Sequence, residues 1–178
     1  MADVNFGLNG NPSALNDGAE TTGLTAENEA VVELIELLFF AYRDFVSDPD
    51  EILRDYGFGR AHHRVVHFVG RNPGIRVAEL LDILRITKQS LGRVLRELIE
   101  TGFIEQREGD RDRRQRLLYL TEAGAGLHRR LIAPQITRVG AAIERAGAAG
   151  AQGYRDVLFN LIDADDRAHV RALITKRG

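Results

Sequence analysis

The sequence of 178 residues contains no cysteine, which removes disulfides, thiolate metal sites and a thiol redox sensor from consideration. Basic residues are missing from its opening stretch. The first lysine or arginine is Arg43, so no positive segment precedes an apolar run and a secretory signal is not expected. The apolar run at residues 34–42 is broken by Glu36 and is too short to span a bilayer. Catalytic signatures are lacking as well: there is no Gly-x-x-x-x-Gly-Lys, no His-Glu-x-x-His and no Gly-x-Ser-x-Gly. Gly57-Phe58-Gly59 lacks the third glycine of a dinucleotide loop and reads as a turn. These absences lead us to expect a soluble, cytoplasmic protein that is not an enzyme, needs no cofactor and has no membrane partner.

What is present is charge sorted along the chain. The net charge is −2, yet residues 1–58 carry 2 basic and 12 acidic side chains, residues 59–116 carry 13 and 8, and residues 117–178 carry 9 and 6. A polyanion responds to the field within about a Debye length, roughly 8–10 Å, so a local positive face counts for more than the total.

Residues 1–24 hold four Asn and four Gly with few bulky apolar residues, and read as a mobile tail. From Glu27 the spacing of Val31, Leu34, Ile35, Leu38, Phe39, Tyr42, Phe45 and Val46 predicts a helix, and Leu37 and Phe40 widen its apolar stripe. One small lobe could not cover so broad a face, so burial against a second copy is expected. Asp48-Pro49-Asp50 should end this helix. A second helix is predicted over residues 60–70, with Val65, Val66, Phe68 and Val69 inward, followed by a turn at Arg71-Asn72-Pro73-Gly74.

Residues 74–124 carry the most information. A helix over residues 77–85, a short turn and a helix over residues 88–101 form a helix-turn-helix, with Thr87 as the N-cap and Gly102 as the left-handed stop. Burying Leu91, Val94, Leu95 and Leu98 leaves Lys88, Gln89, Ser90 and Arg93 outward. No acid falls between Ile86 and Arg96. Such side chains reach phosphates or base edges, and Gln89 and Arg93 can make bidentate contacts to adenine or guanine. Two short apolar strands, residues 103–107 and 117–120, then flank a tip containing Arg111, Arg113, Arg114 and Arg116. Arginine suits phosphate and the narrow minor groove. Asp110 and Asp112 read as struts that pair with these arginines, Asp112 in particular stabilising the tip.

Asp112-Arg113-Arg114, followed by Leu118-Tyr119-Leu120-Thr121-Glu122-Ala123-Gly124, resembles the wing and Leu-Thr-x-x-Gly ending of MarR-type (multiple antibiotic resistance) winged-helix regulators. Asn72-Pro73-Gly74, Ala78-Glu79-Leu80 and the run from Leu98 to Ile104 fall in register with the same family. The resemblance covers residues 30–146. It departs where Val77 stands in place of a polar helix start, and it has no clear pattern after Gly147. It implies a mainly α protein with a small β-hairpin wing: a winged helix-turn-helix lobe (residues 59–124) between an N-terminal dimerisation helix and linker (25–58) and C-terminal dimerisation helices (125–178). It implies a homodimeric regulator, most simply a repressor, that binds double-stranded DNA through Thr87, Lys88, Gln89, Ser90, Arg93 and the wing arginines. Thr121 would open a long helix with Leu127, Leu131, Ile136, Val139 and Ile143 as its apolar face, bent at Pro134.

The family commonly takes small aromatic or phenolic effectors, and the matching positions here are Phe39, Tyr42, Phe58, His62, His63 and Arg64. Each of these also suits an ordinary core or surface position. His63 and His67 share a helical face, but without cysteine or a carboxylate at ligand spacing a metal site is the weaker expectation. A metal-responsive regulator and a winged helix used only for protein contact are the alternatives to a DNA-binding regulator.

Overall fold

A computed structural model describes residues 25–109 and 115–175. The chain divides into two units, residues 1–39 and 40–178, and the first helix, α1 (Ala26–Arg54), crosses the division. Thr25 opens it by accepting the backbone N–H of Asn28 at 3.3 Å. In the N-terminal unit, Val31, Leu34, Ile35, Leu37, Leu38 and Phe39 are all exposed, Phe39 by 67%.

The helix does not end at Asp48-Pro49-Asp50 as its sequence suggested. It runs through Pro49 to Arg54. Proline removes one helical donor, and the Pro49 ring and Leu53 are fully buried, so apolar packing offsets that loss. Tight hydrogen bonds from Tyr56 and Phe58 N–H to the Leu53 carbonyl then close the chain into the next helix.

The second unit continues with α2 (Arg60–Arg71), β1 (Ile75–Arg76), α3 (Val77–Leu84), α4 (Lys88–Glu100), β2 (Ile104–Glu108), β3 (Arg116–Leu120) and α5 (Glu122–Asn160). A 3-10 turn, η1 (Ala164–Asp166), leads into α6 (Arg167–Thr175). Val65, Val66 and Val69 of α2, Leu80 and Leu84 of α3, the four predicted leucine and valine positions of α4, and Leu127 and Leu131 of α5 meet in one core. The sheet has the order β1-β3-β2, all antiparallel, with Leu118 paired to Ile75 on one side and Gln106 on the other. The two hairpin strands lie where the apolar runs placed them. Strand β1 is an addition, two residues long and carrying no alternation of its own.

Thr121 joins the wing to α5. Its hydroxyl accepts the Gly124 N–H at 3.1 Å and donates to the Gly102 carbonyl at 2.6 Å. Gly124 is needed for a close approach, since a Cβ there would lie 2.0 Å from the Phe103 carbonyl oxygen. Helical geometry persists through Pro134. The interruption falls instead at Gly147, whose φ of 71° and ψ of −178° few side chains tolerate. Of the predicted apolar face, Leu127 and Leu131 are buried, whereas Ile136 is 62% exposed and Ile143 is also exposed.

Candidate nucleic-acid interface

The turn between α3 and α4 is built from local capping. Arg85 ends α3 in the left-handed region (φ 50°), its N–H bonded to the Leu81 carbonyl. Thr87 then caps α4: its Oγ1 accepts the Ser90 N–H at 3.1 Å and donates to Ser90 Oγ at 2.9 Å. With Leu91, Val94, Leu95 and Leu98 turned inward, Lys88, Gln89, Ser90, Gly92, Arg93 and Arg96 form one exposed face. Among the described residues no acid pairs with Lys88, Arg93 or Arg96, so their charge faces outward. Arg96 and Gly92 belong to this face but were not singled out from the sequence. The spacing of Gln89, Arg93 and Arg96 carried the first. The second was visible as a glycine inside an otherwise strong helix.

Two side chains of α2 set the orientation of this unit. His62 Nδ1 accepts the Gly59 N–H at 3.1 Å, so the proton sits on Nε2, which lies 2.7 Å from Glu97 Oε2 on α4. Arg64 donates to the carbonyl of Leu84 at 2.8 Å, where a cation complements the negative end of α3. Both were grouped with a ligand pocket from the sequence, and both brace the helix-turn-helix here. Their partners lie 35 and 20 residues away, so no local spacing marked them.

Phe58 stacks on the His62 ring at 4.6 Å and meets Phe103 edge-on at 5.5 Å, packed against the core. Tyr42 is exposed, His63 is half-buried, and Phe39 belongs to the N-terminal unit. Burial pushes the His63 imidazole below its ordinary range, Asp50 opposing that shift and His128 adding to it. Two open clefts among the described residues are lined by other side chains. One is lined by Leu81, Asp82, Arg85, Asp166 and His169, another by residues 71–75 with Glu79, Ile83, His169, Ala172 and Leu173. No group of three or more His, Asp or Glu among the described residues could hold a metal ion.

At the wing, Arg116 Nη1 pairs with Glu108 Oε1 at 3.0 Å. Arg107 pairs with Glu105 and lies 4.5 Å over the Tyr119 ring. Gly109 N–H bonds to the Gln115 carbonyl at 3.1 Å and closes the hairpin. The tip residues Arg111, Asp112, Arg113 and Arg114 lie outside the described residues.

A recognition-type helix after a capped turn, followed by a β-hairpin, defines a winged helix-turn-helix protein. The sequence profile of the MarR family matches residues 56–115. The chain is 47% identical over 156 residues to the HTH-type transcriptional regulator PetP of Rhodobacter capsulatus, covering 88% of this chain and 93% of that protein. It belongs to the MarR family of transcriptional regulators, which are not enzymes. Two solved structures share the fold. One is Streptococcus pneumoniae FabT in complex with DNA, with a TM-score of 0.65 and 20% identity over 74% of this chain and 94% of that one. The other is a putative MarR family regulator from Listeria monocytogenes complexed with a 26mer DNA, with a TM-score of 0.63 and 21% identity over 78% and 93%. No helix among the described residues is long and apolar enough to cross a membrane.

Proposed function

We propose that this chain is a homodimeric, sequence-specific DNA-binding regulator, acting as a repressor on a two-fold symmetric operator. The observation that carries this reading is the exposed face of α4, where Lys88, Arg93 and Arg96 have no acidic partner among the described residues beside the hydrogen-bonding Gln89 and Ser90. Capping by Thr87 presents the start of that helix, and the wing brings further arginines. The DNA carried by the two solved relatives of the same fold supports it. In this reading Lys88, Gln89, Ser90 and Arg93 enter the major groove, and Arg111, Arg113, Arg114 and Arg116 work along the backbone or minor groove, with Asp112 holding the tip. Residues 59–124 form the DNA-binding lobe.

Dimerisation rests on apolar surface left without cover. Leu34 is 65% exposed and Phe39 67% on α1, and Val157 and Leu161 are exposed by 61% and 63% near the end of α5. Segments 25–58 and 125–178 supply the dimer contacts. A small aromatic or phenolic effector is the regulation that family membership suggests. Incubating the protein with sheared genomic DNA, then sequencing and footprinting what it retains, tests the reading. It calls for a pseudo-palindrome with half-sites about 34–36 Å apart. Retention of no duplex at low salt would favour a winged helix used for protein contact.

A further inference from the structure

One cation of the helix-turn-helix is not free. Arg85 stands two residues before the cap of α4, yet its guanidinium is held by Asp166, with Asp163 3.6 Å away, both from the C-terminal segment. The Arg85 side chain is 62% exposed and that of Asp163 78%, so water and ions reach the cluster freely. Arg85 is also the one non-glycine residue with positive φ among the described residues. Backbone held in that region is an outlier from which a functional role can be argued. The residue is the C-cap of α3, in the short turn that leads to the exposed start of α4. A nearer acid exists in Asp82, which lines the same cleft, but the pairing runs to residues some 80 positions onward.

We infer that Arg85 is a DNA-phosphate contact, and that Asp163 and Asp166 occupy it in the free protein as internal stand-ins for phosphate. The inference rests on the DNA-binding reading above. Carboxylate and phosphate oxygens offer the same acceptors to a guanidinium, so the two compete for one group. Binding to a duplex must first release, or share, Arg85. Nonspecific contacts are thereby weakened, and the position of the C-terminal segment becomes a determinant of DNA affinity.

The experiment measures binding of the full chain to a labelled mixed-sequence duplex by fluorescence anisotropy across a salt series. Exposed ion pairs are individually weak. Asp163→Asn with Asp166→Asn should therefore tighten binding by roughly two- to five-fold per protomer. Arg85→Gly is the matching variant, because glycine takes the observed φ without strain. It should weaken binding and reduce the salt slope by about 0.9 for each protomer engaged. In the Arg85→Gly background the two Asn substitutions should have little effect. Equal tightening in both backgrounds would show the acids to be simple repelling charges and overturn the inference, as would Arg85→Gly binding with the wild-type slope. Wild-type protein that binds no duplex would instead overturn the DNA reading beneath it. Circular dichroism on each variant establishes that the fold is retained, and the Asn substitutions, at surface positions, keep the inference testable if Arg85→Gly does not fold.

Discussion

Gln135 of α5 reaches the backbone carbonyl of Phe45, the acceptor that Pro49 leaves without its helical donor. At 3.5 Å the contact is long, but among the described residues Gln135 is the one buried polar side chain, 8% exposed. It joins α5 to the last turns of α1, where Arg138 also meets Asp48 at 2.9 Å. Gln135→Leu should cost about 1 kcal/mol by leaving a part-buried carbonyl without its side-chain donor. In a Pro49→Ala background the residue at position 49 supplies the donor, so the same substitution should cost distinctly less. A double-mutant cycle by urea denaturation checks this; additive effects would assign Gln135 to packing alone.

Gly92 sits mid-way along α4 on its exposed face, and a Cβ there would meet nothing within 4 Å. A glycine inside a helix costs about 0.5–1 kcal/mol relative to alanine, and nothing among the described residues requires it. Close approach of a duplex would. Gly92→Ala should raise the unfolding free energy by that amount while weakening operator binding several-fold. Unchanged binding in the stabilised variant would remove this position from the interface.

Acidification should loosen the seam between α2 and α5. Burial pushes His128 below its ordinary range, with Arg71 and Arg129 adding to the effect, and burial likewise lowers His63 against the pull of Asp50. His128 Nε2 is enclosed without a hydrogen-bond partner among the described residues, and its ring lies 5.5 Å from that of His67. Because the folded state holds these imidazoles neutral, the unfolded chain takes up protons first. Stability is complete above the unfolded value near 6.5 and falls as the pH drops toward the depressed folded values. Melting temperatures from about pH 7.5 to pH 5.5 should decline, and His128→Leu should make the decline shallower. A flat profile in the wild type would show that neither imidazole is coupled to folding.

The apolar opening of α1 predicts an obligate dimer. Replacing Leu38 and Phe39 by Asp, at positions 46% and 67% exposed in the isolated chain, should yield aggregated or unfolded protein rather than a stable monomer. Sedimentation velocity reads the outcome, and a well-folded wild-type monomer at micromolar concentration would count against the dimer.

The parts of this fold that were legible in the sequence are those written in local periodicity or capping. Leu91, Val94, Leu95 and Leu98 are buried as their spacing demanded, Thr87 and Thr121 cap the helices they precede, and Gly102 has the expected positive φ. What was not legible depends on distant partners. Pro49 reads as a terminator until Phe45 is seen to have Gln135 as a donor and the ring is seen to be buried. The contacts of His62 with Glu97 and of Arg64 with the Leu84 carbonyl join residues 35 and 20 positions apart, which no local spacing marks. Strand β1 is too short to show alternation and exists because β3 offers it an edge at Leu117 and Leu118.

Arg93→Ala tests most directly whether the outward face of α4 reads base sequence. Wild type and variant are titrated by anisotropy against the duplex recovered from genomic selection and against a mixed-sequence duplex at the same salt. Wild type should prefer the selected duplex, and that preference should fall by about 1–3 kcal/mol in Arg93→Ala, while binding to mixed sequence falls only by the lost charge. A variant that keeps the full wild-type preference would contradict base reading by this face.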